Sequence, residues 1–384
     1  MLTETESQRI DGYIGKKIEE VETPALVVDL DILERNMDKM MEFLSHSSVG
    51  LRPHAKTHKT PPIARMQIEK GAVGITCATV GEAEVLVDGG IKDVLITNRV
   101  VGHGKIERAV SLAKRATVRV AVDSEENLKA LSDASVLAGA KIGIIVEADI
   151  NQGRAGVRST EQAIGLAKLA AQLPGVTYDG LMGYEGHCVF LPTLEERKIE
   201  AGKAYEKLFR YKSALSDAGF APQIVSSAGT GTYLLAGRQE EITDIQAGSY
   251  IFMDARYSDI EGIDFEQALT VLSAIVSHPE PKVFVCDAGI KSMSEEFGQV
   301  LALPSYGLGV KGMSEEYITL FAADKGEVKP YIKALDQIYG RKAKDIGLGT
   351  KVHLIPSHCC TTVNLHDVLY VTRNGVVQNV WRVA

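Results

Sequence analysis

Arg52-Pro53-His54-Ala55-Lys56-Thr57-His58-Lys59 places three cations and two imidazoles in eight consecutive residues, directly behind the apolar lead Val49-Gly50-Leu51. A solvated face would carry acids as well, and a buried strand would not carry so many charges. A lysine at the mouth of a strand can attack a carbonyl and form a Schiff base once it has lost its proton; neighbouring cations and partial desolvation favour that loss. The alternative is a basic loop that binds phosphate. His54 and His58 flank Lys56 in sequence, near its neighbours and not necessarily on its face.

Four further stretches carry chemistry. Ser226-Ser227-Ala228-Gly229-Thr230-Gly231-Thr232 is a loop of small residues behind a strand, and Gln246-Ala247-Gly248-Ser249-Tyr250 is a second. Glycines let backbone approach an anion closely, so Gly229, Thr230, Gly231 and Thr232 with Gly248, Ser249 and Tyr250 could cup a phosphate through N–H groups and hydroxyls. Two tight turns are the other reading. In Asp149-Ile150-Asn151-Gln152-Gly153-Arg154-Ala155-Gly156, Arg154 lies between glycines and could reach a phenolate or carboxylate oxygen, or be a loop cation. Tyr184-Glu185-Gly186-His187-Cys188 offers Tyr184 for stacking on a planar cofactor and His187 as an acid or base, a structural histidine being the alternative. Pro356-Ser357-His358-Cys359-Cys360 ends a strand. His358 and Cys360, two residues apart, would face one side of an extended chain and could hold one divalent ion, zinc being favoured by imidazole plus thiolate. Core-filling cysteine is the competing reading.

The elements that would position these residues follow from periodicity. Short β-branched runs are expected as strands at Gly74–Cys77, Asp93–Thr97, Thr117–Val122, Ile142–Glu147, Thr177–Met182, Gln223–Ser226 and Thr243–Gln246, after a first strand ending at Lys56. Helical patterns at Gly81–Asp88, Lys105–Ala113, Glu125–Leu137, Thr160–Gln172 and Leu194–Asp217 lie between most of them. Eight alternating units in about 200 residues fit a closed (β/α)8 barrel better than an open doubly wound sheet. The residues singled out then fall at strand ends, on the rim where such barrels place their sites. Beyond about Ile263 the texture becomes mostly β, with strands expected at Ala268–Ser277, Val283–Cys286, Lys351–Ile355, Val368–Thr372 and Val376–Trp381. The predicted organisation is an N-terminal segment, residues 1–30, associated with the β domain; an α/β barrel over 31–262; and a C-terminal β domain over 263–384 that carries the metal pair.

The 384 residues carry a net charge of −8, with no basic excess to suggest a nucleic-acid partner. No apolar run reaches the roughly 20 residues that span a bilayer, and Met1–Glu22 lacks the apolar core of a signal peptide. Five scattered cysteines do not make a disulfide scaffold, so a reduced, cytoplasmic setting is expected.

These motifs together resemble the D-threonine aldolase and D-serine dehydratase family. The resemblance rests on Thr23-Pro24-Ala25-Leu26-Val27-Val28-Asp29-Leu30, the Arg52–Lys59 run, Gly81-Glu82-Ala83-Glu84 and Gln246–Tyr250. It continues through Asp287-Ala288-Gly289-Ile290-Lys291-Ser292 and through His358-Cys359-Cys360 followed by Val363-Asn364-Leu365-His366-Asp367. The resemblance implies a fold type III pyridoxal phosphate enzyme: an alanine-racemase-like barrel with a C-terminal β domain, paired as a homodimer. It implies Lys56 as the lysine that carries pyridoxal 5'-phosphate, Arg154 near the cofactor's ring oxygen, Tyr184 in the pocket, and Gly229–Thr232 with Gly248–Tyr250 around the phosphate. It further implies His358 and Cys360 as ligands of a divalent metal (Zn, Mn or Mg), and a small β-hydroxy-D-amino acid as substrate. Retro-aldol cleavage to glycine and an aldehyde, with His187 as base, is the expected reaction. Dehydration of D-serine or 3-hydroxy-D-aspartate to a 2-oxo acid and ammonia is the alternative, and a non-catalytic cofactor carrier is a third reading. The chain departs from the aldolase pattern at Cys360, where aspartate is usual, and at Ser314-Glu315-Glu316-Tyr317, which lacks a histidine.

Overall fold

The computed structural model describes residues 3–323, 329–342 and 345–384. The chain divides into two compact units: residues 40–56 with 60–248, and residues 1–39 with 57–59 and 249–384. The strands are numbered along the chain, and Ala25–Asp29 is β1.

The first unit is a ring of eight parallel strands. They are β2 (Gly50–Leu51), β3 (Ile75–Cys77), β4 (Asp93–Ile96), β5 (Thr117–Val122), β6 (Ile142–Glu147), β7 (Val176–Met182), β8 (Ile224–Ser227) and β9 (Asp244–Ile245). Neighbours in space are neighbours in sequence from β3 to β9, and β9 returns beside β2. The last seam is closed by backbone bonds: Val73 N–H donates to Leu51 C=O at 2.8 Å and Thr76 N–H to Pro53 C=O at 2.9 Å. An isolated parallel bridge joins His54 to Thr76. The alternation expected of strands sorts the side chains: Val94, Ile96, Val118, Val120 and Val122 join the large buried cluster that also holds helical residues. Leu95, Ala121, Ile145 and Met182 form a separate cluster with Ile224 in the lumen. Most helices start at side-chain caps, such as Ser124 before Glu125–Ala138 and Ser159 before Thr160–Gln172.

The expected first strand is shorter than its hydrophobic lead suggests. Pairing fades after Leu51, where Pro53 has no N–H to donate, and Ala55–Thr57 is a single 3-10 turn. Lys56 therefore sits in a turn behind the strand.

The second unit is built on β10 (Leu269–Glu280), with β11 (Val283–Cys286), β12 (Leu301–Ala302), β13 (Leu308–Met313), β14 (Ile318–Ala322), β15 (Lys351–Ile355), β16 (Val368–Arg373) and β17 (Val376–Arg382). Its path runs β13-β14-β11-β10-β1-β16-β17, with β15 pairing β10 and β12. β10 changes partners along its length: Leu269–Leu272 pairs β1, Val271–Ala274 pairs β15, and Ile275–Glu280 pairs β11 with two register shifts. β1 lies antiparallel to β10 and parallel to β16, so the chain's first strand is interior to this sheet. The core below it holds a polar cluster. His353 Nδ1 pairs with Thr270 Oγ1 at 2.8 Å, and its ring stacks on Tyr339 at 4.0 Å. Burial drives the His353 pKa down to about 3, so the ring is neutral.

Candidate active site

In the barrel unit the residues of interest follow the carboxyl ends of successive strands. Lys56 is exposed in its turn behind β2, which leaves the amine accessible. Behind β4, Arg99 pairs with Glu147 at the end of β6 and reaches Asp123 at 3.2 Å. Burial raises the Glu147 pKa, and the Arg99 and Arg154 charges oppose that rise.

The loop after β6 is tied down by Asp149, whose Oδ1 accepts the Gly153 N–H at 2.8 Å and whose Oδ2 pairs with Arg158. Burial would raise the Asp149 pKa, but these bonds outweigh it and lower the value. Arg154 leaves this loop with its guanidinium 5.6 Å from the centre of the Tyr184 ring. Tyr184 in turn lies over Gly229: a Cβ on Gly229 would stand 3.3 Å from the ring. Gly231 is more constrained, because a Cβ there would run into the carbonyl oxygen of Val189. Arg154, Tyr184 and Gly229 thus stand in one line of contact, the missing side chain at Gly229 leaving room for the Tyr184 ring. Thr230 and Thr232 are buried to 2% and 0% exposure. The Thr232 hydroxyl donates to Glu185 Oε1 at 2.5 Å, so it supports the loop from beneath. His187 is exposed in the turn that follows Gly186.

Gly248 ends the barrel unit, and Ser249 and Tyr250 begin the other. They share the 3-10 turn Ser249–Ile251. Tyr250 is fully buried, its ring 5.4 Å from Phe265.

In the second unit β15 ends at Ile355, His358 is extended (φ −138°, ψ 125°), and Cys359–Val363 is a helical turn. His358 and Cys360 straddle this junction and do not alternate along a strand, yet their ligand atoms converge. The nitrogen of His358 and the sulfurs of Cys359 and Cys360 lie within 4.8 Å of one another. Cys360 Sγ is 3.2 Å from Thr57 Oγ1 and 3.5 Å from Ser249 Oγ. Asp254, fully buried, orders the cluster: Oδ2 lies 2.9 Å from His358 Nδ1 and accepts the Cys359 N–H at 2.9 Å, while Oδ1 accepts the Tyr257 N–H at 2.8 Å. Carboxylate on one ring nitrogen leaves the other for a metal. Burial would lower the His358 pKa, but the bonds to Asp254 and Cys360 prevail and hold it at about 10. Burial pushes the Cys359 thiol well above its usual range, and Cys359 is buried where Cys360 is only partly so.

Two supports escaped sequence reading, Glu185 and Asp254. An acid beside Tyr184, or one four residues beyond Tyr250, carries no signal that it is buried.

Comparison with known proteins fits this geometry. Residues 28–256 match the family profile described as alanine racemase, N-terminal domain, and residues 268–372 match one described as a putative serine dehydratase domain. A D-threonine aldolase of an Arthrobacter species is 38% identical over 96% of this chain and 94% of its own. The chain belongs to the D-threonine aldolase and D-serine dehydratase family. A second member, the 3-hydroxy-D-aspartate aldolase of Paracoccus denitrificans, is 37% identical over 98% of this chain and 95% of its own. The solved D-threonine aldolase of Filomicrobium marinum superposes with a TM-score of 0.89 at 36% identity, covering 96% of each chain. The alanine-racemase-like fold and membership among the family's lyases follow. Among the described residues no helix is long and apolar enough to cross a membrane.

Proposed function

We propose that this chain is a pyridoxal phosphate- and divalent-metal-dependent lyase that cleaves β-hydroxy-D-amino acids of the D-threonine kind into glycine and an aldehyde. The observation that carries this reading is the convergence of the His358 nitrogen with the Cys359 and Cys360 sulfurs within 4.8 Å of one another, in the unit that also holds the buried Asp254 against the His358 ring.

Lys56 Nζ would hold the cofactor, with Tyr184 and Arg154 at its ring and the Gly229–Thr232 loop at its phosphate. When bound, the cofactor supplies an electron sink for the pair released by a broken bond at Cα. His358 and Cys360 would hold the metal, which supplies a Lewis acid to the substrate's β-hydroxyl. His187 is the proposed base that takes the β-hydroxyl proton. Asp254 keeps the His358 ring turned for ligation. The working form is proposed to be a homodimer, as the family resemblance implies, in the reduced, cytoplasmic setting that the five scattered cysteines suggest.

A second reading is favoured by Cys360, a thiol where the aldolases usually carry aspartate, and by the match of residues 268–372 to a putative serine dehydratase domain. In that reading Lys56 Nζ removes the α-proton and the hydroxyl leaves, giving a 2-oxo acid and ammonia.

Product analysis separates the two. The protein is incubated with D-threonine, D-serine and 3-hydroxy-D-aspartate, with and without chelator. Glycine supports cleavage; 2-oxo acid with ammonia supports dehydration. Bound cofactor with no turnover points to a carrier, and full activity after complete metal removal defeats the metal assignment. Lys56→Ala is expected to abolish the visible absorbance of lysine-bound cofactor.

A further inference from the structure

Beneath the loop that follows β8 lies a carboxylate with no role yet assigned. Glu185 is fully buried, and four donors converge on its two oxygens. Oε1 accepts the Thr232 hydroxyl at 2.5 Å and the Tyr205 hydroxyl at 2.8 Å; Oε2 receives the Ser227 hydroxyl at 3.0 Å and the Ala228 N–H at 3.2 Å. Two of the four, Ala228 and Thr232, come from the loop itself; Ser227 ends β8, and its hydroxyl also reaches the Gly183 carbonyl at 2.7 Å. The fourth, Tyr205, belongs to the helix Leu194–Asp217 and is 2% exposed.

The bonds fix a conformation the loop would not adopt unaided. Ala228 has φ +69°, in the left-handed region that a residue with a Cβ enters only when its surroundings hold it there. Its N–H is the one that Glu185 takes. Thr232 acts as a relay: its oxygen receives the Gly229 N–H at 3.2 Å while its proton goes to Glu185. A carboxylate that polarises a hydroxyl in this way strengthens the next bond in the chain. Four donors also spend the negative charge that would otherwise repel an anion bound above the loop.

We propose that Glu185 is a positioning residue that shapes Ser227–Thr232 into a seat for a phosphate monoester, and thereby sets the protein's preference for pyridoxal phosphate over pyridoxal. The inference rests on the cofactor reading above. Glu185 touches neither the cofactor's aldehyde nor the substrate; it acts through the loop. Its loss therefore weakens the hold on the phosphate and leaves the reaction of Lys56 with an aldehyde intact.

The test titrates pyridoxal phosphate and pyridoxal separately into wild-type protein and Glu185→Gln, following visible absorbance without substrate, with circular dichroism to check the fold. Glutamine keeps the shape but turns an NH2 toward donors that need an acceptor. The expected result is a loss of about ten-fold or more in pyridoxal phosphate affinity, with pyridoxal affinity essentially unchanged. A wild-type preference ratio retained in Glu185→Gln overturns the proposal, as does wild-type protein that takes up both aldehydes equally well. Wild-type protein that takes up neither counts against the cofactor reading itself. If Glu185→Gln does not fold, Tyr205→Phe removes a donor to Glu185 Oε1 that lies outside the loop: a reduced ratio supports the proposal and an unchanged ratio overturns it.

Discussion

Glu185 in the barrel unit and Asp254 in the β unit solve the same problem with different partners. Both carboxylates are fully buried. Each accepts backbone N–H from the segment it organises, Ala228 for Glu185 and Cys359 with Tyr257 for Asp254, and Ala228 itself lies in the left-handed region at φ 69°. Glu185, however, gathers only neutral hydroxyls and an amide, whereas Asp254 also holds an imidazole. A buried anion surrounded by neutral donors makes a fixed scaffold. One bonded to a histidine ties its segment to a group that changes charge or binds metal. The two carboxylates are therefore built to different tolerances.

The sharpest way to break this comparison is Asp254→Ala. It strands the His358 ring and the Cys359 and Tyr257 N–H groups together. The expected cost is about 3–5 kcal/mol of unfolding free energy, with metal affinity down roughly 10- to 100-fold, read by denaturant titration and chelator competition. Gly231→Ala attacks the scaffold side. Its Cβ meets the Val189 carbonyl, and a loss of about 1–3 kcal/mol in stability is expected, together with weaker cofactor uptake. If Gly231→Ala proves as costly as Asp254→Ala, the difference in tolerance disappears.

His353 tests the titrating character of the β unit away from the ligand cluster. Its folded pKa, about 3, lies below the unfolded value of 6.5. The unfolded chain therefore binds the extra proton between those values. The contribution is complete above pH 6.5 and is lost as pH falls toward 3. In His353→Asn the slope of unfolding free energy against pH across that window should be shallower by up to about 1.4 kcal/mol per pH unit. An unaltered slope would show that the ring is not the source of acid sensitivity. The smallest effect is expected from Lys59→Ala, which removes a bond of 2.7 Å to Asn364 from an only partly buried side chain. Less than about 1 kcal/mol should be lost, with cofactor uptake retained, in contrast to Lys56→Ala.

The barrel was legible because its strands alternate and its helices carry caps; β5, β6 and the helices Thr160–Gln172 and Leu194–Asp217 have the bounds that periodicity predicts. The β unit was legible only in its hydrophobic strands. β13 is half exposed along its length and gives little apolar signal, and β12 has two residues. The helix Leu30–Leu44, with an apolar stripe as clear as any, was masked by its direct continuation from β1. The ligand cluster was visible as residue types, but its geometry was not: a strand was expected where a helical turn begins at Cys359. Glu185 and Asp254 stayed hidden for a deeper reason. Burial of an acid depends on donors far along the chain, such as Tyr205 for Glu185, and local pattern holds no trace of them.

The interior position of β1 has a consequence for biosynthesis. β1 precedes the barrel unit in the chain, yet it is flanked by β10 and by β16, both made after the barrel. On the ribosome residues 40–248 emerge as a continuous stretch able to fold, while Ala25–Asp29 keeps one edge open until Val368–Arg373 has emerged. Truncation near the C-terminus would thus uncover an apolar N-terminal edge and invite aggregation, although the missing residues lie more than 300 positions away.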